Sequence, residues 1–174
     1  MLEIKIDASQ LNAQLDQLMQ RLQRPSALMA AVAQSLESQT QQAFYQQGQP
    51  GGDKWQSLSE STIAQRTLGR KGKNPEPPSW PGQILNRSGG RGLLGSVMSG
   101  STASTASVGA GSGKSAKYAK IHQFGGQAGR GRKVTIPARP YLPITPSTGG
   151  QALTPHAEKA IIKMALKFIE NGAP

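Results

Sequence analysis

The chain has no cysteine. That excludes disulfides, thiolate nucleophiles and cysteine-ligated zinc. It has two histidines, His122 and His156. A zinc site would have to recruit scarce carboxylates, and none stands at a motif spacing. No acid lies between Glu76 and Glu158, so His122 has no neighbour in sequence to orient it as a general base. No serine sits in a Gly-x-Ser-x-Gly elbow. Aromatics make up only 5% of the residues. Apolar runs are far too short to span a bilayer. The start, "MLEIKIDASQ", lacks the basic and then apolar pattern of a secretion leader. The expectation is a soluble protein made and kept in a cytoplasm, with no membrane, metal or cofactor.

Glycine and basic residues are plentiful instead. The 174 residues include 21 Gly and 12 Pro, with a formal net charge of +11. The length fits one domain, 1–174. From Ser61 to Ala157 there are 13 Lys or Arg against one acid, Glu76; the flanks hold seven against eight. The excess charge therefore sits in the middle of the chain. Such a surface seeks nucleic acid, an acidic protein or an anionic membrane. "VGAGSGKSA" at 108–116 imitates a phosphate-binding loop. That loop needs four residues between its first glycine and Gly-Lys-Ser, and here there are three.

Leu2, Ile4 and Ile6 alternate as a short strand does, and Asp7 with Gln10 reads as a capping pair. Leu11, Leu15, Leu18 and Leu22 form a narrow helical stripe that could pack on a sheet or on another subunit. Pro25 ends that helix. The next carries Met29, Val32, Ala33, Leu36, Thr40, Ala43 and Phe44 on one face. Ser57 to Glu60 reads as a capping box for a short helix to about Arg66. Residues 67–83 are broken too often by Gly and Pro to form an element, and read as a basic arm with Trp80 late in it. Val97–Gly100 and Thr105–Val108 read as a hairpin. Tyr118–Gln123 reads as a short helix or turn ended by Gly125, and Lys133–Ile136 as a strand. The expected place of His122 is a ring bonded to the backbone of the following loop. Residues 109–117 and 125–133 read as loops, and "PARPYLPITP" as stiff extended chain. A last helix starts at Thr154 and Pro155. Its wide face of Ile161, Ile162, Met164, Ala165, Leu166, Phe168 and Ile169 calls for a sheet beneath it. The fold class expected is α+β: a small, mostly antiparallel sheet against N-terminal helices and a C-terminal helix, with long basic loops.

Four blocks carry more than composition. "DKWQSLSESTIAQR" presents Trp55, a Ser-Leu pair, Thr62 and Arg66. "ILNRSGGRGLLGSV" presents Ile84, Leu85, Ser88 and Gly89. "YAKIHQFGG" covers Tyr118 to Gly126, and "IPARPYLPI" covers Ile136 to Ile144. In this order, over roughly residues 1–169, they resemble the phage virion morphogenesis family. That family includes tail completion proteins of contractile-tailed bacteriophages and Mu-like prophage proteins. The resemblance implies a structural job in tail completion or head–tail joining, and no catalysis. It implies rings of subunits, often sixfold, built from a small sheet flanked by helices. The implied partners are copies of the chain itself, in a hexameric ring for example, and the tail tube, tail terminator or neck and connector proteins. Non-specific contact with DNA would accompany them. Trp55, Arg66, Tyr118, His122, Gln123, Phe124, Gly125, Arg139, Pro140 and Tyr141 would be structural or interface residues. Arg139, between residues that fix its position, would donate to a carboxylate or carbonyl at an interface, or else pin its own fold. The competing reading from charge alone is a basic nucleic-acid-binding protein.

Overall fold

The computed structural model describes residues 9–23, 25–69, 75, 77–78, 80, 82–87, 92–147 and 150–172. The strand expected at Leu2–Ile6, the capping role of Asp7, the block residues Ser88 and Gly89 and much of the 67–83 arm lie outside them. Helix α1 spans Ser9–Gln23 and α2 spans Ser26–Gln46. The break falls where Pro25 restricts the residue before it. Buried along α2 are Val32, Ala33, Leu36, Gln39, Thr40, Ala43 and Phe44. The apolar members recur at helical spacing, and each large one contributes about 1.5–3 kcal/mol by burial. Thr40 is fully buried because its hydroxyl bonds back to Leu36 O at 2.8 Å.

Two clusters share α2. Toward its start, Val32 and Leu36 pack with Ala157, and Leu28, Ala106, Val108, Ile161 and Met164 close around them. Ala106 and Val108 belong to an antiparallel hairpin, β1 (Met98–Ser101) with β2 (Ala106–Gly109). Ser99 of β1 donates to the Glu37 carboxylate of α2. Ala157 begins the C-terminal helix, which is α5 once α3 (Glu60–Leu68) and α4 (Ala116–Phe124) are counted. Helix α5 spans Pro155–Asn171, with Thr154 Oγ1 accepting from Ala157 N at 3.3 Å and Pro155 in its first turn. Toward the other end of α2, Ala43 and Phe44 join Trp55, Ile84, Leu93, Ala119 and Tyr141 in the second cluster.

Several expectations change here. Among the described residues, the single small sheet is three separate two-stranded antiparallel sheets: β1–β2, β3 (Gly126–Ala128) with β4 (Val134–Ile136), and β5 (Ile144–Ser147) with β6 (Gly150–Leu153). Stretches read as loops hold regular structure. A 3-10 turn at Gly113–Ser115 runs into α4, and β3 and a 3-10 turn at Arg130–Arg132 occupy most of 125–133. The cap of α3 is Ser59, whose Oγ accepts from Thr62 N at 3.4 Å, and not Ser57. Trp80 is tied down: its indole N–H donates to Gln83 O at 3.0 Å, and it lines a small cavity with Leu58, Ile63 and Ile84.

Helix α5 lies on α2 and not on a sheet. One helix covers less than a sheet does, so only Ala157 and Phe168 are buried. Ile162, Leu166 and Ile169, spaced four and three apart, are 51%, 54% and 38% exposed. Helix α1 leaves Leu15, Met19 and Leu22 similarly open. The two helices are joined at their ends by Arg21, whose guanidinium donates to Ile169 O at 2.9 Å and Glu170 O at 3.1 Å. Among the described residues no helix is long and apolar enough to cross a membrane.

Candidate functional site

The residues singled out in the sequence converge around the C-terminal end of α4. Gly125 follows that helix with φ +72°, a region that favours glycine. A Cβ there would lie 2.9 Å from Ala138 N and 3.1 Å from Ile136 O. The close approach lets the proline-rich segment run back along α4. Arg139 N donates to His122 O at 2.7 Å. Gln123 then acts as a clamp: its single Oε1 accepts from both Tyr141 N and Leu142 N, each at 3.0 Å. The Tyr141 hydroxyl returns to α4 by donating to Ala119 O at 3.0 Å. Burial pushes its pKa up to about 12, so the phenol stays a donor.

A second set of contacts ties this segment to α2 and the chain after it. Trp55 donates from its indole to Pro140 O at 2.8 Å. Phe44 stands edge-on to Trp55 at 5.9 Å and tilted against Tyr141 at 5.3 Å. Arg139 is buried and donates to its own chain, from Nε to Gln56 O at 3.0 Å and from a terminal nitrogen to Ser57 O at 3.2 Å. Of the two jobs read for it from sequence, pinning its own fold is the one this geometry describes. Of the ten residues named, Trp55, His122, Gln123, Gly125, Arg139, Pro140 and Tyr141 form this node. Arg66 and Tyr118 stand beside it, and Phe124 is 46% exposed.

The expected bond from the His122 ring to the following loop is not made. The carbonyl of His122 binds Arg139, while ring atom Nδ1 is buried without a hydrogen-bond partner. The ring stacks edge-on with Tyr118 at 5.8 Å. Burial, then Arg139, then Arg66, lower its pKa from 6.5 to about 4, so the imidazole is neutral at neutral pH. Arg66 sits among like charges too: burial, Arg87 and Arg139 all lower its pKa. Its guanidinium is held by Ile84 O at 2.8 Å. A cavity of about 330 Å³ opens between Arg66, Arg87, Tyr118 and His122, with Ile84, Leu85 and Leu93 as apolar wall. A second, of about 540 Å³, shares Arg66 and His122 and extends to Arg139.

Two positions escaped the sequence reading. Gln47, in the left-handed region at φ 52°, accepts the Ile84 amide on its side chain at 2.9 Å. Only its place before Gly48, at the end of a long helix, signalled it. Arg87 entered only as one of many basic residues. The phosphate-loop imitation resolves structurally: Gly111 has φ +95°, and a Cβ on it would meet Ala119 Cβ at 2.5 Å. Among the described residues no group of His, Asp or Glu could hold a metal.

Comparison with known proteins agrees with the four sequence blocks. The profile of the phage virion morphogenesis family matches residues 6–168. The "Mu-like prophage FluMu G protein 2" of Haemophilus influenzae is 35% identical over 147 residues, covering 84% of this chain and 86% of that protein. The "Putative capsid assembly protein G" of Escherichia phage Mu is 29% identical over 154 residues, covering 87% and 88%. No solved structure matches. The chain belongs to the phage virion morphogenesis family.

Proposed function

We propose that this protein is an assembly subunit of a tailed phage or prophage particle, acting in tail completion or head–tail joining as a closed ring of identical chains, and that it catalyses nothing. The observation that carries the reading is the family match over nearly the whole chain, joined to what the matched blocks do. Their residues spend their polar groups on one another's backbone: Trp55 on Pro140, Arg139 on Gln56 and Ser57, and Gln123 on Tyr141 and Leu142. They build a rigid knot, which is what a subunit carrying load in a particle needs. A neutral His122 surrounded by arginines is a poor start for acid–base chemistry, since nothing there would stabilise its protonated form.

Two features support contact with other chains. The open apolar rows of α1 and α5 are surfaces that subunit packing would cover. The concentration of positive charge suits an acidic neighbour. The name of the phage Mu relative speaks of capsid assembly, whereas the resemblance read from sequence speaks of tails; both are steps of particle building. Electron micrographs of particles made without the gene separate them. Abnormal tails beside full, separate heads support tail completion, and malformed heads move the role to the capsid. Gel filtration with light scattering tests the ring. A large closed oligomer is expected, alone or with tail components, and a strict monomer under both conditions refutes it. The same charge favours a second reading, a nucleic-acid binder, which predicts retention on duplex DNA with a steep salt dependence.

A further inference from the structure

We infer that the cavity between Arg66, Arg87, Tyr118 and His122 is a receptor for an acidic side chain, which a partner polypeptide presents next to an apolar residue. Three observations lead there. The charges felt at Arg66 are Arg87 and Arg139, and those felt at His122 are Arg139 and Arg66. Gathering cations in a half-buried place costs free energy, and an incoming carboxylate would relieve it. Three groups around the site are also fixed beforehand. Arg66 is held by Ile84 O, Arg139 by Gln56 O and Ser57 O, and His122 by its helix and the edge of Tyr118. Little side-chain entropy then remains to be lost on binding. Finally, the wall is apolar on one side, with Ile84, Leu85 and Leu93.

That last point chooses the class of ligand. A phosphate backbone brings only sugar C–H groups between its charges, a poorer match for a wall of Ile and Leu side chains than an aliphatic side chain is. A Glu or Asp flanked by an apolar residue satisfies both halves: the carboxylate takes paired N–H bonds from a guanidinium, and the neighbour covers the aliphatic side. The volume of about 330 Å³ is at the small end for ligand cavities, which suits a side chain better than a free cofactor. The ring of His122 completes the site. Facing it are Arg66 from α3, Arg139 from the segment after β4, Tyr118 from its own helix, and Arg87 across the cavity. Burial first, and then the arginine charges, keep the ring neutral; a carboxylate among them offsets the arginine part, so binding raises the ring's affinity for a proton.

For the source of the carboxylate the inference rests on the assembly role; the pocket itself is tested without any particle. The probes are the peptides Ac-Leu-Glu-Leu-amide and Ac-Leu-Gln-Leu-amide and inorganic phosphate, at one ionic strength. The full chain is followed by NMR at its two histidine rings. The Glu peptide is expected to bind with Kd of about 1 mM, to raise the titration midpoint of His122 and to leave His156 unmoved. The Gln peptide should bind at least about tenfold more weakly. Arg66→Gln should abolish the response. If that variant does not fold, Arg87→Gln, at an exposed position, should weaken binding several-fold. A His122 ring unmoved by the Glu peptide at about 20 mM, twenty times the expected Kd, overturns the inference. So does equal binding of the two peptides. Phosphate binding as tightly as the Glu peptide would reassign the pocket to a phosphate backbone. Failure of any of these leaves the assembly role standing, and a failed assembly role would leave a measured peptide site intact.

Discussion

Replacing Gln123 by methionine tests whether the knot at the end of α4 holds the fold. The two side chains are similar in length, so the substitution changes polarity with little change in shape. Gln123 is 3% exposed, and its Oε1 is the acceptor for two backbone amides, Tyr141 N and Leu142 N. Methionine sulfur is a weak acceptor. Both amides would then stand without a partner in a place water does not reach freely. A buried unsatisfied donor costs about 1–3 kcal/mol. The Tyr141 amide is fully buried and the Leu142 amide only partly, so the sum should be about 2–4 kcal/mol. In a chain of this length that lowers Tm by about 4–16 °C. Urea unfolding followed by circular dichroism measures it, with an unchanged m-value as the sign that the transition is the same one. Gln123→Glu retains an acceptor oxygen at that place and should lose less than methionine does, despite the buried charge. If methionine costs under about 1 kcal/mol, the clamp is incidental and the proline-rich segment is held by its own stiffness.

Gly125→Ala should be worse than its size implies. The φ of +72° and a backbone nitrogen 2.9 Å from the new Cβ together predict a loss above about 2 kcal/mol, read by the same unfolding curve. Thr154→Ala removes the cap of α5 and should cost about 1 kcal/mol in thermal unfolding, with Thr154→Ser close to wild type. His122 makes stability depend on pH. Its folded pKa of about 4 lies below the ordinary 6.5, so the unfolded chain binds the extra proton between those values and stability falls as pH drops from 6.5 to 4. The slope for one proton is about 1.4 kcal/mol per pH unit, discounted to about half for a ring that is part-open to solvent. His122→Gln should flatten that part of the curve, and equal slopes would refute the assignment. Met19→Asp with Leu166→Asp, both at exposed positions, should leave Tm within about 2 °C and shift the oligomer seen by light scattering toward smaller species.

The elements legible in the sequence are those whose cause is local. Helix α2 carried its burial pattern at helical spacing, and five of the six apolar residues read onto its face are buried. Thr154 and Pro155 announced α5 because capping depends on residues three apart. The β1–β2 hairpin was found within a residue at each end. The strands that escaped have no such signal. Gly126–Ala128 lacks any β-branched residue, and β5 contains Pro146, which argues against a strand until it is seen that, among the described residues, β5 pairs with β6 alone and so has an edge for it. The single sheet was an inference from the wide face of α5. It failed because α5 packs on α2, a single helix, with Ala157 beside Val32 and Leu36.

The node at α4 shows a different limit. Tyr118, His122, Gln123 and Arg139 were picked out as a group by resemblance, and they do meet in space. What each does could not be read, because every hydrogen-bond partner across the node is 17 or more residues away: His122 with Arg139, Gln123 with Tyr141, Tyr141 with Ala119, Arg139 with Gln56. Motifs that look like chemistry can therefore be architecture. Here the histidine contributes a backbone carbonyl and a neutral ring, and the buried arginine holds two carbonyls of its own chain. Once those groups are committed to the fold, three surfaces stand open to partners. They are the open rows of α1 and α5 and the cationic cavity beside Arg66, and binding experiments should begin there.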